Sequence, residues 1–214
     1  MQYQLNYLFK YVVLCSAILF AGNVQASADA QQVVRQAADT VISVLESEKE
    51  AVKGNPEKLY QLVKEHILPN FDFERMSYYV LGRAWKEASD TQKQSFIKEF
   101  EHLLVSTYAI ALSEFGADEK IIFLPVQVSS NANIVVVPTE IKQKAGNTIA
   151  VAYRMYSNEG AWRIYDVAID GVSLVTNYRA SFAGQIRKGG MDGLLESMST
   201  HNKPKTVVKA DNNH

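Results

Sequence analysis

Two aspartates four residues apart, Asp166 and Asp170, are the residues of this 214-residue chain best placed for acid–base chemistry. They lie in YDVAIDG, at the end of a strand-like run. On an unbroken strand, side chains four apart share a face. Two carboxylates on one face can divide the roles of acid and base. The commoner use of the same residues is a solvent-facing strand position and a turn former. Arg154, Arg163 and Arg179 are near in sequence; they can hold an anion, or pair with these acids at the surface. No nucleophile and base accompany them. Ser173, in Asp-Gly-Val-Ser, lacks the G-x-S-x-G surroundings of a nucleophile elbow. A glycine-rich phosphate loop and an H-E-x-x-H helix are both missing. His66, His102, His201 and His214 have no metal-ligand spacing. We therefore assign no catalytic residue, no metal ligand and no cofactor from the sequence.

The elements that would have to position such residues are legible around Ile149 to Gln185. Ile149, Val151, Tyr153 and Met155 alternate with Ala150, Ala152, Arg154 and Tyr156, the period of a half-buried strand. Ser157-Asn158-Glu159-Gly160 is a hairpin loop, and Ala161 to Ile169 is the returning strand. With Lys120–Val128 and Asn133–Lys142 this makes four antiparallel strands joined by short turns. Pro125 and Pro138 mark edges or bulges.

Helices precede and follow the strands. Val33, Ala37, Val41, Val44 and Leu45 form a helical stripe that Gly54-Asn55-Pro56 interrupts. Leu59, Leu62, Val63 and Ile67 form a second, ended by Pro69. Asp72 is placed to cap a third, and Ser89-Asp90-Thr91-Gln92 reads as a capping box opening a long fourth. That fourth helix carries Phe96, Phe100, Leu103, Leu104, Thr107, Tyr108 and Ala111 on one face, with Gly116 at its end. Val175–Lys188 is a helix broken by Gly189-Gly190, and Met191–Met198 is the last. Helices first and an antiparallel meander second give an α+β protein. A four-stranded curved sheet wrapped by several helices can close into a cone with a hollow inside.

The composition excludes some functions. The net charge of −1 gives no electrostatic footprint for nucleic acid, so no nucleic-acid partner is expected. Lys10, the apolar run Tyr11–Ala21 and Val24-Gln25-Ala26 follow the order of a cleavable signal peptide over residues 1–26. Its removal takes one lysine and no acid, so −1 becomes −2, and takes the single cysteine, Cys15. The expected mature protein is exported, best suited to a bacterial periplasm, with one domain over 27–199 and a mobile polar tail over 200–214. No later stretch is long and apolar enough to span a membrane.

Two long blocks resemble a known family. Ile67–Ala109 (ILPNFDFERMSYYVLGRAWKEASDTQKQSFIKEFEHLLVSTYA) and Tyr153–Ile186, with its YDV, DGVSL and NYR elements, are similar to the MlaC or toluene-tolerance proteins. Ala180 stands where the family pattern leads one to expect a polar residue. The resemblance spans about residues 30–198 and implies an NTF2-like cone. It implies a phospholipid carrier in the periplasm of Gram-negative bacteria that maintains outer-membrane lipid asymmetry. Its implied partners are an outer-membrane lipoprotein–porin complex and an inner-membrane ABC transporter with an MCE-domain subunit. The phospholipid is cargo, not a cofactor.

Burying an acyl chain is worth about 0.8 kcal/mol per methylene, so a tail of about sixteen carbons is worth on the order of 12 kcal/mol. A carrier crossing water must enclose both tails. The expected lining is Tyr79, Phe96, Phe100, Leu104 and Tyr108 from the helices. From the sheet come Val151, Tyr153, Met155, Trp162, Ile164, Val172 and Leu174. Core residues have the same composition, so each is also a candidate for plain packing. The lack of a dense polar motif predicts weak headgroup selectivity. Two alternatives remain: an exported NTF2-like isomerase or dehydratase with Asp166 or Asp170 as base, and an adaptor protein with a filled core.

Overall fold

The computed structural model describes residues 27–52, 55–114, 119–131, 133–144 and 146–202. The signal-peptide expectation, Gly116 and most of the expected tail lie outside these residues. Helix α1 covers 27–47. It is followed by α2 (Lys49–Val52), α3 (Pro56–His66), a 3₁₀ turn (Leu68–Asn70), α4 (Phe73–Leu81), α5 (Arg83–Glu87) and α6 (Asp90–Glu114). The strands are β1 (Lys120–Phe123), β2 (Gln127–Val128), β3 (Ile134–Lys142), β4 (Thr148–Asn158), β5 (Ala161–Ile169) and β6 (Val172–Ser173), and α7 spans Leu174–Asn202.

The helix starts follow their caps. Asn55 accepts from the Lys58 N–H at 3.0 Å with Pro56 in the first turn of α3. Asp72 accepts from the Arg75 N–H at 2.8 Å. Ser89 and Gln92 exchange their reciprocal bonds at 3.2 and 3.0 Å and open α6. Helix α7 is kinked at Gly190 (φ 68, ψ −167), where the glycine pair predicts a break. It then runs on to Asn202, whose side chain donates to the Glu99 carbonyl and carboxylate at 2.9 and 2.7 Å. Residues 200–202 therefore belong to this helix, beyond the boundary expected from sequence.

The sheet is antiparallel in the order β1-β3-β4-β5-β6, with β2 also on β3, so six strands replace the expected four. The physical reason lies in two prolines. Leu124 donates to the Pro138 carbonyl at 3.0 Å, but Pro138 has no N–H to return. The edge ladder stops there: β1 ends at Phe123, Pro125 follows, and β2 resumes at Gln127. At the other side Val172-Ser173 adds a short strand to β5. The hairpin turn has Glu159 at φ 51 and Gly160 at φ 84, the left-handed pair of a type I′ turn.

A β-bulge decides which face each β5 residue takes. Arg154 pairs with Asp166 and Met155 with Ile164, leaving Tyr165 as the extra residue. Trp162 and Ile164 face the core before it; Val167 faces the core after it, and Asp166 is turned to the other face. The main core joins α1, α4, α6 and α7 to the inner face of β3, β4 and β5. A smaller cluster (Leu45, Val52, Leu59, Val63, Val105) packs α1–α3 against α6.

Candidate functional site

Eleven of the twelve sequence-nominated lining residues share the main core cluster. Phe96, Phe100, Leu104, Val151, Met155, Trp162, Ile164 and Leu174 are buried, while Tyr79, Tyr108 and Tyr153 are partly buried against them. Val172 does not belong: at 58% exposure on β6 it faces outward, because the two-residue strand ends before its side chain can turn in. Phe96 and Phe100 owe their burial to a neighbouring helix. Their rings lie 5.5 Å apart and meet Phe182 of α7 at 5.7 and 6.2 Å. Phe96, Phe100 and Met155 have 0% exposure, so no water-sized space touches them. Of the eleven, the three tyrosines keep the most accessible surface.

Tyr153 supplies a polar group in this apolar setting. Burial pushes its phenol above the usual value, and a hydrogen bond with Thr139 works against that shift. Thr139 is itself buried and donates to the Val151 carbonyl at 3.0 Å.

The aspartates are fully employed. Asp166, 2% exposed, accepts from Arg154 at 3.2 Å, from the Ser173 hydroxyl at 2.7 Å and from the Val175 N–H at 3.1 Å. Asp170, at φ 47, accepts from the Ala150 N–H at 3.0 Å and closes the turn. The pair forms no acid–base couple; each makes a joint. Arg154 takes the ion-pairing role, Arg163 donates to the Pro69 carbonyl, and Arg179 lies over Gly82. His66 and His102 sit on separate helices, and His102 stands beside Tyr60 and Ser106. Among the described residues no group of His, Cys, Asp and Glu is arranged to hold a metal.

The structure also assembles a group that sequence reasoning missed. Arg75 lies 3.7 Å from the Tyr156 ring centre, 5.5 Å from Tyr165 and 5.8 Å from Tyr79. Burial alone would lower its pKa, but hydrogen bonds to Tyr79 and Tyr156 outweigh this and raise it. Tyr156 donates to the second oxygen of Asp72. Beside this group opens a cleft of about 420 Å³ between the start of α4 and the β4–β5 turn, bounded by Asp72, Tyr156, Glu159 and Arg163 with Phe71 and Phe73. A second pocket, between α1 and α3, holds only about 10 Å³.

The family model for the MlaC protein matches residues 35–200. The chain belongs to the MlaC family. Among curated proteins it is 27% identical over 196 residues to the intermembrane phospholipid transport system binding protein MlaC of Haemophilus influenzae, covering 88% of this chain and 91% of that one. It is 23% identical over 161 residues to the toluene tolerance protein ttg2D of Pseudomonas putida, covering 75% and 74%. Among solved structures it is similar to the phospholipid-binding protein of Ralstonia solanacearum in complex with a phospholipid. That match has TM-score 0.76 and 31% identity, over 81% of this chain and 96% of the other. The expected α+β, NTF2-like architecture is borne out by the sheet and by this likeness.

Several residues that carry the MlaC resemblance sit at joints between elements. Phe71 bridges to Ile164 and the Asp72 N–H donates to the Ile164 carbonyl at 2.8 Å, which fixes α4 to the edge of β5. Asp166 and Ser173, from YDV and DGVSL, fix the start of α7 to the same strand. Arg179, from NYR, covers Gly82 between α4 and α5. The same MlaC blocks also supply core residues, among them Phe96, Phe100, Ile164, Leu174 and Tyr178.

Proposed function

We propose that this protein binds a glycerophospholipid in the interior between its sheet and helices. We propose further that it carries the lipid through the periplasm between an outer-membrane lipoprotein–porin complex and an inner-membrane ABC transporter bearing an MCE-domain subunit. The observation that supports this most is the likeness, over nearly the whole domain, to a protein solved with a phospholipid. The apolar cluster framed by α4, α6, α7 and the inner sheet face is the part of this chain suited to acyl chains.

Tails would enter beside Tyr79, Tyr108 and Tyr153, the nominated residues that are only partly buried. Phe96, Phe100 and Met155 join the lining only if α6 and α7 separate. Such opening exchanges ring–ring contacts for ring–acyl contacts, one set of apolar contacts for another. Lipid drawn from a bilayer moves between two apolar media, and direction is then imposed by the partners. No cofactor takes part, and the signal peptide over 1–26 is the export signal of this reading.

Donor and acceptor vesicles provide the test. The purified mature protein should speed transfer of a labelled phospholipid between two vesicle populations in proportion to its concentration. Transfer no faster than in its absence would defeat the carrier reading. Site-specific crosslinking in periplasm should trap both membrane partners; capture of neither would remove the shuttle and leave only lipid binding.

A further inference from the structure

We propose that the cleft between the start of α4 and the β4–β5 turn is a headgroup seat that favours phospholipids bearing an ammonium group. The proposal rests on the carrier reading and adds a site and a selectivity to it. The cleft's volume of about 420 Å³ falls within the range of small-molecule pockets, roughly 300–1,000 Å³. Its charged lining is two carboxylates, Asp72 and Glu159, and one guanidinium, Arg163. Phe71 and Phe73, with rings 5.8 Å apart, line the cleft and also pack against the main core. The cleft therefore shares a wall with the interior proposed for the tails. The pocket between α1 and α3, apolar and about 10 Å³, has room for no more than a single water.

The groups are held in place. Asp72 has one oxygen on the Arg75 N–H and the other on the Tyr156 hydroxyl. Each oxygen keeps a lone pair for a further donor. Arg75 covers one face of the Tyr156 ring, which fixes that wall. Arg163 spends one N–H on the Pro69 carbonyl and keeps the rest of its five donors. Glu159 is exposed at the rim of the cleft, where the left-handed turn fixes its backbone and leaves its carboxylate in solvent.

A zwitterionic phosphodiester suits this set. Its ammonium meets Asp72 and Glu159 with the phenylalanine rings alongside, and its phosphate meets Arg163. A headgroup with phosphate and no ammonium leaves both carboxylates facing an anion. The lining is partly exposed, so the preference is of the size of surface ion pairs, roughly three- to tenfold. Weak selectivity, expected from the sequence, thus becomes a graded preference.

The mature protein is incubated with vesicles of equimolar phosphatidylethanolamine and phosphatidylglycerol with matched acyl chains, re-isolated, and its lipid quantified. The ethanolamine lipid should exceed the glycerol lipid about three- to tenfold. Glu159→Gln should bring the ratio toward one, and Asp72→Asn, which keeps a capping side chain, should do the same. A large excess of tail-less glycerophosphoethanolamine should leave the bound lipid in place; displacement would overturn the lipid-headgroup assignment. A wild-type ratio of one, or a ratio unmoved by both variants, overturns the seat and leaves the carrier reading standing. Uptake of neither lipid overturns both.

Discussion

Ser173 donates its hydroxyl to Asp166 at 2.7 Å and, through the same oxygen, accepts the Thr176 N–H at 3.1 Å. One buried carboxylate and one hydroxyl thus cap α7 and anchor it to β5. Negative charge at a helix N-terminus is favourable, and here it also holds Arg154. The Arg154 side chain is 47% exposed, so the ion pair itself adds little. The bonds from Ser173 and Val175 do the anchoring.

Asp166→Asn should therefore destabilise the fold by about 1–3 kcal/mol, because a buried charge-assisted acceptor loses strength. Urea denaturation reads this directly. Lipid retained per folded molecule should stay at the wild-type level. A base in an isomerase would give the opposite pattern, with stability kept and turnover lost.

Gly82 joins α4 to α5 at φ 56 and ψ −114, and a Cβ there would approach Arg179 Nη2 to 3.1 Å. Gly82→Ala combines a backbone conformation closed to L-residues with displacement of that guanidinium. It should cost about 1–3 kcal/mol in thermal or chemical unfolding. Arg179→Ala in the same background relieves the contact but not the backbone, so it should recover only part of the loss.

Tyr60 donates to Glu101 at 3.0 Å, and burial, then this bond, pushes its phenol up to about 12. In the unfolded chain the phenol ionises near its ordinary value of about 10. Between these values the unfolded state binds fewer protons, so stability falls as pH rises through that window. The loss is at most about 1.4 kcal/mol per pH unit, reduced by solvent screening of this partly exposed group. Tyr60→Phe should flatten the stability profile between about pH 10 and 12 relative to the native protein. An unchanged slope would assign the alkaline loss to the other raised tyrosines, Tyr108, Tyr153, Tyr156 and Tyr165.

Tyr153, one of the residues proposed to line the lipid site, is partly exposed, and its hydroxyl is hydrogen-bonded with Thr139. Tyr153→Trp adds bulk where tails are proposed to lie and should lower retained lipid about two- to tenfold while shifting stability by less than about 3 kcal/mol. Met155→Ala, at a fully enclosed position, should instead cost about 2–5 kcal/mol of stability. Equal effects of both substitutions on lipid would remove the distinction between accessible lining and sealed core.

The order of elements, the caps of α3, α4 and α6, the break at Gly190 and the turn at Glu159-Gly160 were legible because each rests on local residue chemistry. The strand count was not. It depends on Pro138 presenting its missing N–H to the edge partner, which requires the pairing register. The cluster of Arg75 with Tyr79, Tyr156 and Tyr165 was hidden for a related reason. Arg75 and Tyr79 share a helix face at i and i+4, but the β5 bulge at Tyr165 decides which rings they meet. Strand alternation and helix spacing both point inward, which is why eleven of the twelve nominated residues lie in the main core cluster. Val172 lies outside that cluster, where a strand of two residues gives alternation no length to act on.

The account depends most on a phospholipid residing in the protein, and organic extraction of the purified mature protein followed by lipid mass spectrometry tests that directly. It predicts about one diacyl phospholipid per folded molecule, well above the level carried by an unrelated exported protein purified in parallel. Lipid no higher than in that control, in protein shown to be folded, would contradict it.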